Sequence, residues 1–213
     1  MTPNDKDALL RALWRDKMHV APRALDLAPA AVRRSYEHIF QPVEIVLADL
    51  RALPAELLRL WRDCPRGHAV FTHEDSRYAP GPQPWRDGTL ESVAYVSIVA
   101  LRQDPEAAWV SLLHLVDHLL GGACDAARPR FSEGAGITPA LEDAARRFQE
   151  IVGLGYAAED APIEDARSYF AHTLWLYLRD PRRLNVLDPL SYRLYHGTLL
   201  AESFWAGQRS TLG

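Results

Sequence analysis

The stretch that decides the fold is His114-Leu115-Val116-Asp117-His118-Leu119-Leu120-Gly121, which Gly122 follows. Ten residues before His114, the run Asp104-Pro105-Glu106 predicts the start of a helix. Asp is a favoured N-cap, Pro suits the first helical position, and Glu interacts favourably with the positive end of the helix dipole. The two glycines predict where the helix ends. We therefore expect one helix over residues 105–120 that carries both histidines.

His114 and His118 are four residues apart, so on a helix they lie on one face, one turn from each other. Two imidazoles in this arrangement can occupy two of the four tetrahedral positions around zinc. In the HExxH motif, a Glu directly after the first His takes the proton from zinc-bound water. Leu115 stands at that position and cannot act as a base. The pattern predicts a metal-binding frame without its general base.

Asp117 is the nearest acid to the histidine pair. Helix geometry turns it to the side of His114 away from residue 115, and its side chain is one methylene shorter than Glu. It is better placed to orient an imidazole than to abstract a proton, although it stays a candidate catalytic residue. The structural alternative is that His114 and His118 are buried polar residues, hydrogen-bonded to the backbone or to Asp117.

Composition excludes several classes of function. With 213 residues and 48% hydrophobic residues, the chain can form one good-sized domain with a real core. The net charge is −4 and Lys and Arg are scattered, so we expect no nucleic-acid partner. Residues 1–20 lack a continuous apolar run, and no segment reaches about 18 apolar residues, so we expect neither a signal peptide nor a membrane span.

Two cysteines, Cys64 and Cys124, are too few for a disulfide framework. Reduced thiols in a cytoplasmic protein are the interpretation that fits this number. The abundance of Ala, Leu, Arg and Pro suggests a bacterial genome of high GC content.

Periodicity and turn residues predict an α+β chain dominated by helix. Strands are expected at residues 68–72 and 92–99, with an irregular loop over the Pro- and Gly-rich residues 74–89. The helices expected besides 105–120 cover residues 5–16, 29–38, 139–152 and 162–178, with others beginning at Pro42, Pro54, Pro181 and Pro189, the last running towards Trp205.

The chain from about residue 68 to residue 205 resembles the catalytic domain of anthrax lethal-factor-like and Pro-Pro-endopeptidase-like zincins. The resemblance rests on strand 92–99, the His114–His118 helix and the stretch 167–184, RSYFAHTLWLYLRDPRRL. That stretch is similar to the family pattern E-[DF]-F-A-E-x-F-x-L-Y-L-x-D-P-x-x-L. The resemblance implies a zincin-like fold, with a small sheet packed on the helix that carries the histidine pair. It also implies a zincin-like domain over residues 67–213, preceded by an integral helical region over residues 1–66.

The functional positions of the family are replaced in this chain. Ser168 stands where the family has its third zinc ligand, His172 replaces the second Glu of the motif, and Ala161 stands at the place of the transition-state Tyr. A zinc site would therefore need another third ligand. His172, which lies one turn from Ser168 on the same helix face, is the candidate for this third ligand.

Cys124 is the alternative third ligand. His118, Gly121 and Cys124 keep the spacing of the metzincin pattern HExxHxxGxxH, with Cys in the last place, and a thiolate is a sound zinc ligand. A small buried thiol behind a glycine turn is the other interpretation. Glu164 and Asp165 are further acids near the later motif, and acids in a first helical turn after Pro162 explain them without a metal.

Three hypotheses follow. The first is a non-proteolytic pseudopeptidase that acts by binding an unknown protein or peptide partner. The second is an active zinc-dependent hydrolase, with His114, His118 and His172 or Cys124 on the metal and with Asp117 or Glu164 handling protons. The third is a metal-free helical interaction domain in which both histidines are structural.

Overall fold

The computed structural model describes residues 3–156 and 165–212. The chain divides into two compact units, Met1–Leu115 and Val116–Gly213. The helical region predicted over residues 1–66 lies wholly in the first unit. Within the described residues the chain is α+β and mostly helical, as the sequence predicts, with one small sheet. No helix in the described part has the length and apolar character needed to cross a membrane.

The first unit holds a sheet whose four described strands lie in the order β1-β2-β4-β3. Strands β1, β2 and β4 run parallel to one another, and β3 pairs antiparallel with β4 at the edge. The strands are β1 (Met18–Val20), β2 (His68–Thr72), β3 (Arg77–Trp85) and β4 (Gly88–Ser97). The predicted strands at residues 68–72 and 92–99 are confirmed, the second with a start four residues earlier. The short β1 was not predicted, and with it the N-terminal region contributes to the sheet.

The irregular loop predicted over residues 74–89 is wrong, because most of it forms β3 and its turn into β4. Pro80, Pro82 and Pro84 suggested a loop, since proline cannot donate a ladder hydrogen bond. An edge strand tolerates proline where the nitrogen faces away from its neighbour. The register shifts between Ala79 and Pro82, which places an irregularity among these prolines.

In sequence, the helices of the first unit lie before, between and after the strands. Several of them begin next to the prolines from which they were predicted. Helix α3 is shorter than the predicted 29–38 helix. The helices are α1 (Pro3–Lys17), α2 (Ala24–Leu27), α3 (Ala30–Arg34), α4 (Gln41–Leu50), α5 (Ala55–Asp63) and α6 (Ala100–Gln103). Helix α7 (Pro105–Gly122) follows, and the division between the two units falls inside it.

The second unit is helical throughout its described part. Its elements are a 3-10 helix (Phe131–Glu133), α8 (Pro139–Leu154), α9 (Ala166–Arg179), α10 (Pro181–Leu187), α11 (Pro189–Gly197) and α12 (Glu202–Leu212). The helices predicted to open at Pro181 and Pro189 are confirmed, and Asp180 and Asp188 cap them through side-chain oxygens. The last predicted helix does not continue to Trp205, which lies instead in α12.

Aromatic side chains form the centre of the second unit. The rings of Phe131, Phe148 and Phe170 pack with centroid separations of 5.6–5.8 Å, and Tyr195 meets Phe170 edge-on. All four of these side chains are fully buried. The 3-10 helix that contributes Phe131 is thereby anchored to α8 and α9, and this anchor fixes the neighbouring residue Ser132.

Candidate functional site around helix α7

Helix α7 carries the segment that the sequence singles out. Leu115, which stands in the place of a general base, is completely buried and lies in the first unit. His114, also in the first unit, is half-buried. An apolar side chain is therefore part of the core at the position where a hydrolase of this kind needs a carboxylate that can reach water.

Asp117 is completely buried, and both of its carboxylate oxygens accept hydrogen bonds from Ser132. The backbone N–H of Ser132 donates to Oδ1 at 2.7 Å, and its hydroxyl donates to Oδ2 at 2.7 Å. These contacts join α7 to the 3-10 helix. Hydrogen bonds of this kind satisfy a buried carboxyl group, which would otherwise be costly to remove from water.

Burial raises the pKa of Asp117 from 3.8 to about 7. The two hydrogen bonds from Ser132 and the nearby charge of Arg130 act in the opposite direction, while the charge of Glu133 adds to the rise. Desolvation dominates because the carboxylate form loses more hydration than two neutral donors return. Asp117 therefore titrates near neutrality, although it is shielded from solvent.

His118 is also buried, at 1% exposure, and its Nε2 lies 2.8 Å from the carbonyl oxygen of Asp125. A carbonyl oxygen can only accept, so Nε2 carries the proton and donates it. Burial lowers the pKa of His118, and the hydrogen bond to Asp125 opposes this shift. The ring therefore ties α7 to the loop that follows it.

The two glycines were predicted to follow the helix. In the structure they are its last two residues. A Cβ on Gly121 would lie 2.2 Å from the carbonyl carbon of Arg130, and one on Gly122 would lie 2.7 Å from Cβ of Arg128. The returning chain thus packs directly on the helix backbone. The glycines are required for this close approach, and the left-handed residues that end the helix are Ala123 and Cys124, with φ of 52° and 58°.

Cys124 is fully buried, and its backbone N–H donates to the carbonyl oxygen of His118 at 3.3 Å. This residue is part of the turn that leaves α7. His172 lies half-buried on α9. Ser168, at the place of the family's third ligand, donates from N and from Oγ to Oδ1 of the N-cap residue Asp165. Asp165 is thus the N-cap of α9 and lies just before the helix, not in its first turn as the sequence predicted.

Among residues 3–156 and 165–212, no group of three or more His, Cys, Asp or Glu side chains is arranged to hold a metal ion. The Nε2 of His118 donates to Asp125, so a metal could bind that ring only through Nδ1. The ligand set of His114, His118 and His172, or Cys124 in place of His172, stays a prediction. Ala161 and Glu164 lie outside the described residues.

Sequence reasoning missed Ser132 and Asp125, the partners that give Asp117 and His118 their roles. Both lie between the helices predicted over residues 105–120 and 139–152, and no local spacing connects them to α7. The glycine pair is the signal that could have found them, because glycine permits the close approach of another backbone. The chain matches no protein-family model, no curated protein and no solved structure.

Proposed function

We propose that this chain is a zincin-like protein that does not cleave peptides and acts by binding a protein or peptide partner. The zincin-like part of this proposal is supported by the order of elements. The edge strand β3 lies in sequence between the parallel partners β2 and β4, and β4 is followed, after the short α6, by the helix that carries the histidine pair. The sequence resemblance over the later helix, α9, points in the same direction.

The non-proteolytic part of the proposal rests on two residues of helix α7, Leu115 and Asp117. Hydrolysis by a metal-bound water needs a general base beside open coordination positions. Leu115 is buried where that base would stand, and the carboxylate of Asp117 is held by Ser132. The acid nearest the histidine pair is thus engaged by hydrogen bonds within the fold.

The edge of the sheet supports the same proposal. Pro82 and Pro84 lie two residues apart on the edge strand β3, so their nitrogens face the same side of that strand. Neither proline offers an N–H to a strand added at the edge. An extended peptide would therefore lose ladder hydrogen bonds there, and we expect recognition of a partner through side chains rather than by strand addition.

The competing proposal is an active zinc-dependent hydrolase with an altered set of residues. A peptide-cleavage assay separates the two. The untagged protein is incubated with added zinc and a mixed-sequence peptide library, and the products are read by mass spectrometry beside the His114→Ala and His118→Ala variants. We expect no new termini from any of the three proteins. Cleavage by the wild type that both variants lose would contradict the proposal.

Leu115→Glu provides a second arm of the same assay. It restores the carboxylate of the HExxH pattern, so it creates activity only if the chain already binds a metal. We expect the variant to remain inactive. Circular dichroism at the assay temperature shows whether the variant is folded, and an inactive variant counts only when it retains the helical spectrum of the wild type.

A further inference from the structure

The second unit contains a groove between α8 and α11 with a volume of about 440 Å³. Helix α8 lines it with residues spaced three, four and seven apart, and so does α11. The lining residues used below are Arg147, Glu150, Ile151, Leu154, Arg193 and Leu194. This spacing places the lining residues of each helix on one face, and each face combines apolar and charged side chains.

The groove has an apolar floor and an apolar projection at its rim. Ile151 and Leu194 form the floor and are each 7% exposed. Leu154 lies at the end of α8 and is 56% exposed, so its side chain is available for contact beside the floor. The same surface therefore has an apolar groove and an exposed apolar side chain, Leu154, of the kind that such a groove accommodates.

The charges at the rim are of both signs. Arg147 and Arg193 bring two positive charges and Glu150 brings a negative one. The structure gives none of the three an ion pair with another described residue, and Arg193 Nε donates only to the carbonyl oxygen of Pro189, at 3.1 Å. A surface that carries its own complementary charges suits a two-fold contact, in which residue i of one copy meets residue j of the other and the reverse.

We propose that the α8–α11 groove joins two copies of this chain in a symmetric dimer. Leu154 of each copy enters the groove of the other, and Arg193 of each copy pairs with Glu150 of the other. The two helices from each copy then form a four-helix arrangement, which covers the apolar floor of each groove and Leu154. Because the groove involves few residues a side, the association is weak and reversible. This inference is independent of the proposed lack of proteolysis.

Analytical ultracentrifugation of the wild-type chain from about 1 µM to about 1 mM tests the proposal. We expect a reversible monomer–dimer equilibrium. Leu154→Asp should shift the dissociation constant upward by tenfold or more, since it places a charge in the partner's apolar groove. Arg182→Glu is the matched control for charge, because Arg182 is exposed on α10 and is not among the residues that line the groove. It should leave the equilibrium unchanged.

A mixing experiment tests the pairing itself. Arg193→Glu and Glu150→Arg should each be monomeric, because each places like charges opposite one another at both contacts. An equimolar mixture of the two variants should dimerise, since both contacts of the mixed dimer then join opposite charges. Pairing within one copy cannot produce this rescue. A wild type that stays monomeric, a mixture that does not dimerise, or equal effects of Leu154→Asp and Arg182→Glu would each overturn the proposal.

Discussion

Ser132 donates two hydrogen bonds to the carboxylate of Asp117, one from its backbone N–H and one from its hydroxyl, each at 2.7 Å. A single residue thus satisfies both oxygens of a fully buried acid 15 residues earlier in the chain. The next residue, His118, binds the carbonyl oxygen of Asp125 in the same returning segment. The polar half of the His114–His118 segment is therefore a clamp, by which we mean Asp117 and His118 together with Ser132 and Asp125.

Removal of the Ser132 hydroxyl should destabilise the fold. Ser132→Ala leaves the backbone N–H on Oδ1 of Asp117 but deprives Oδ2 of its donor, in a place that water does not reach. We expect the free energy of unfolding to fall by about 1–3 kcal/mol. Urea denaturation measures this change. Ser203→Ala, on an exposed position of α12, is the matched control and should change stability by less than about 0.5 kcal/mol. Equal effects of the two substitutions would show that the clamp contributes nothing.

The raised pKa of Asp117 predicts a pH dependence of stability. The unfolded carboxyl has its ordinary pKa of 3.8, and the folded one has a pKa of about 7. Between these values the unfolded chain loses a proton that the folded chain retains, so stability falls as the pH rises from about 4 to about 7. At about 1.4 kcal/mol per pKa unit, the full fall attributable to this group is about 4 kcal/mol.

Asp117→Asn isolates this contribution, because the amide is close in shape and does not titrate. The pKa of His118 is lowered by burial, so His118 alone makes the folded state less stable as the pH falls below its ordinary pKa of 6.5. That effect has the opposite sign and is present in both proteins. We expect the wild type to lose stability relative to Asp117→Asn as the pH rises through the window. The free energy of unfolding of both proteins is measured by urea denaturation at about pH 5 and about pH 7.5. The same difference between the two proteins at both pH values would refute the assignment.

The close approach at the end of α7 predicts a large effect of a small substitution. In Gly121→Ala, the new methyl group would lie 2.2 Å from backbone atoms of Arg130 and Phe131, which cannot move as a flexible side chain would. We expect a loss of about 3 kcal/mol or more. Gly207→Ala in α12 is the control, since a Cβ there meets nothing within 4 Å. It should raise stability by up to about 1 kcal/mol through helix propensity. Similar thermal midpoints for the two variants would contradict the packing described here.

Local chemistry in the sequence predicted much of the fold. Asp180-Pro181 and Asp188-Pro189 place an N-cap and a first-turn proline together, and helices α10 and α11 begin there. Strand β3 escaped prediction because its prolines are acceptable only at an edge, and which strand lies at the edge is a property of the whole sheet. Propensity alone carries no information on strand order.

The candidate site was predictable in position but not in role. The spacing of His114 and His118 and the turn-forming residues around them predicted a helix, and α7 confirms it. What the polar side chains do depends on residues 125–132, which return to the helix through a loop whose path is set by aromatic packing in the second unit. An i, i+4 pair of histidines has the same spacing whether it binds a metal or a backbone carbonyl.

The stoichiometry of zinc is the measurement that tests the structural role of the clamp most directly. Untagged protein is dialysed against a modest excess of zinc, freed of unbound metal, and analysed for zinc per chain, beside His114→Ala and His118→Gln. Gln retains a side-chain N–H donor for the carbonyl of Asp125 but is a poor zinc ligand. We expect far less than one zinc per chain in all three proteins, with the stability of His118→Gln close to that of the wild type. One zinc per wild-type chain, lost in both variants, would contradict the account.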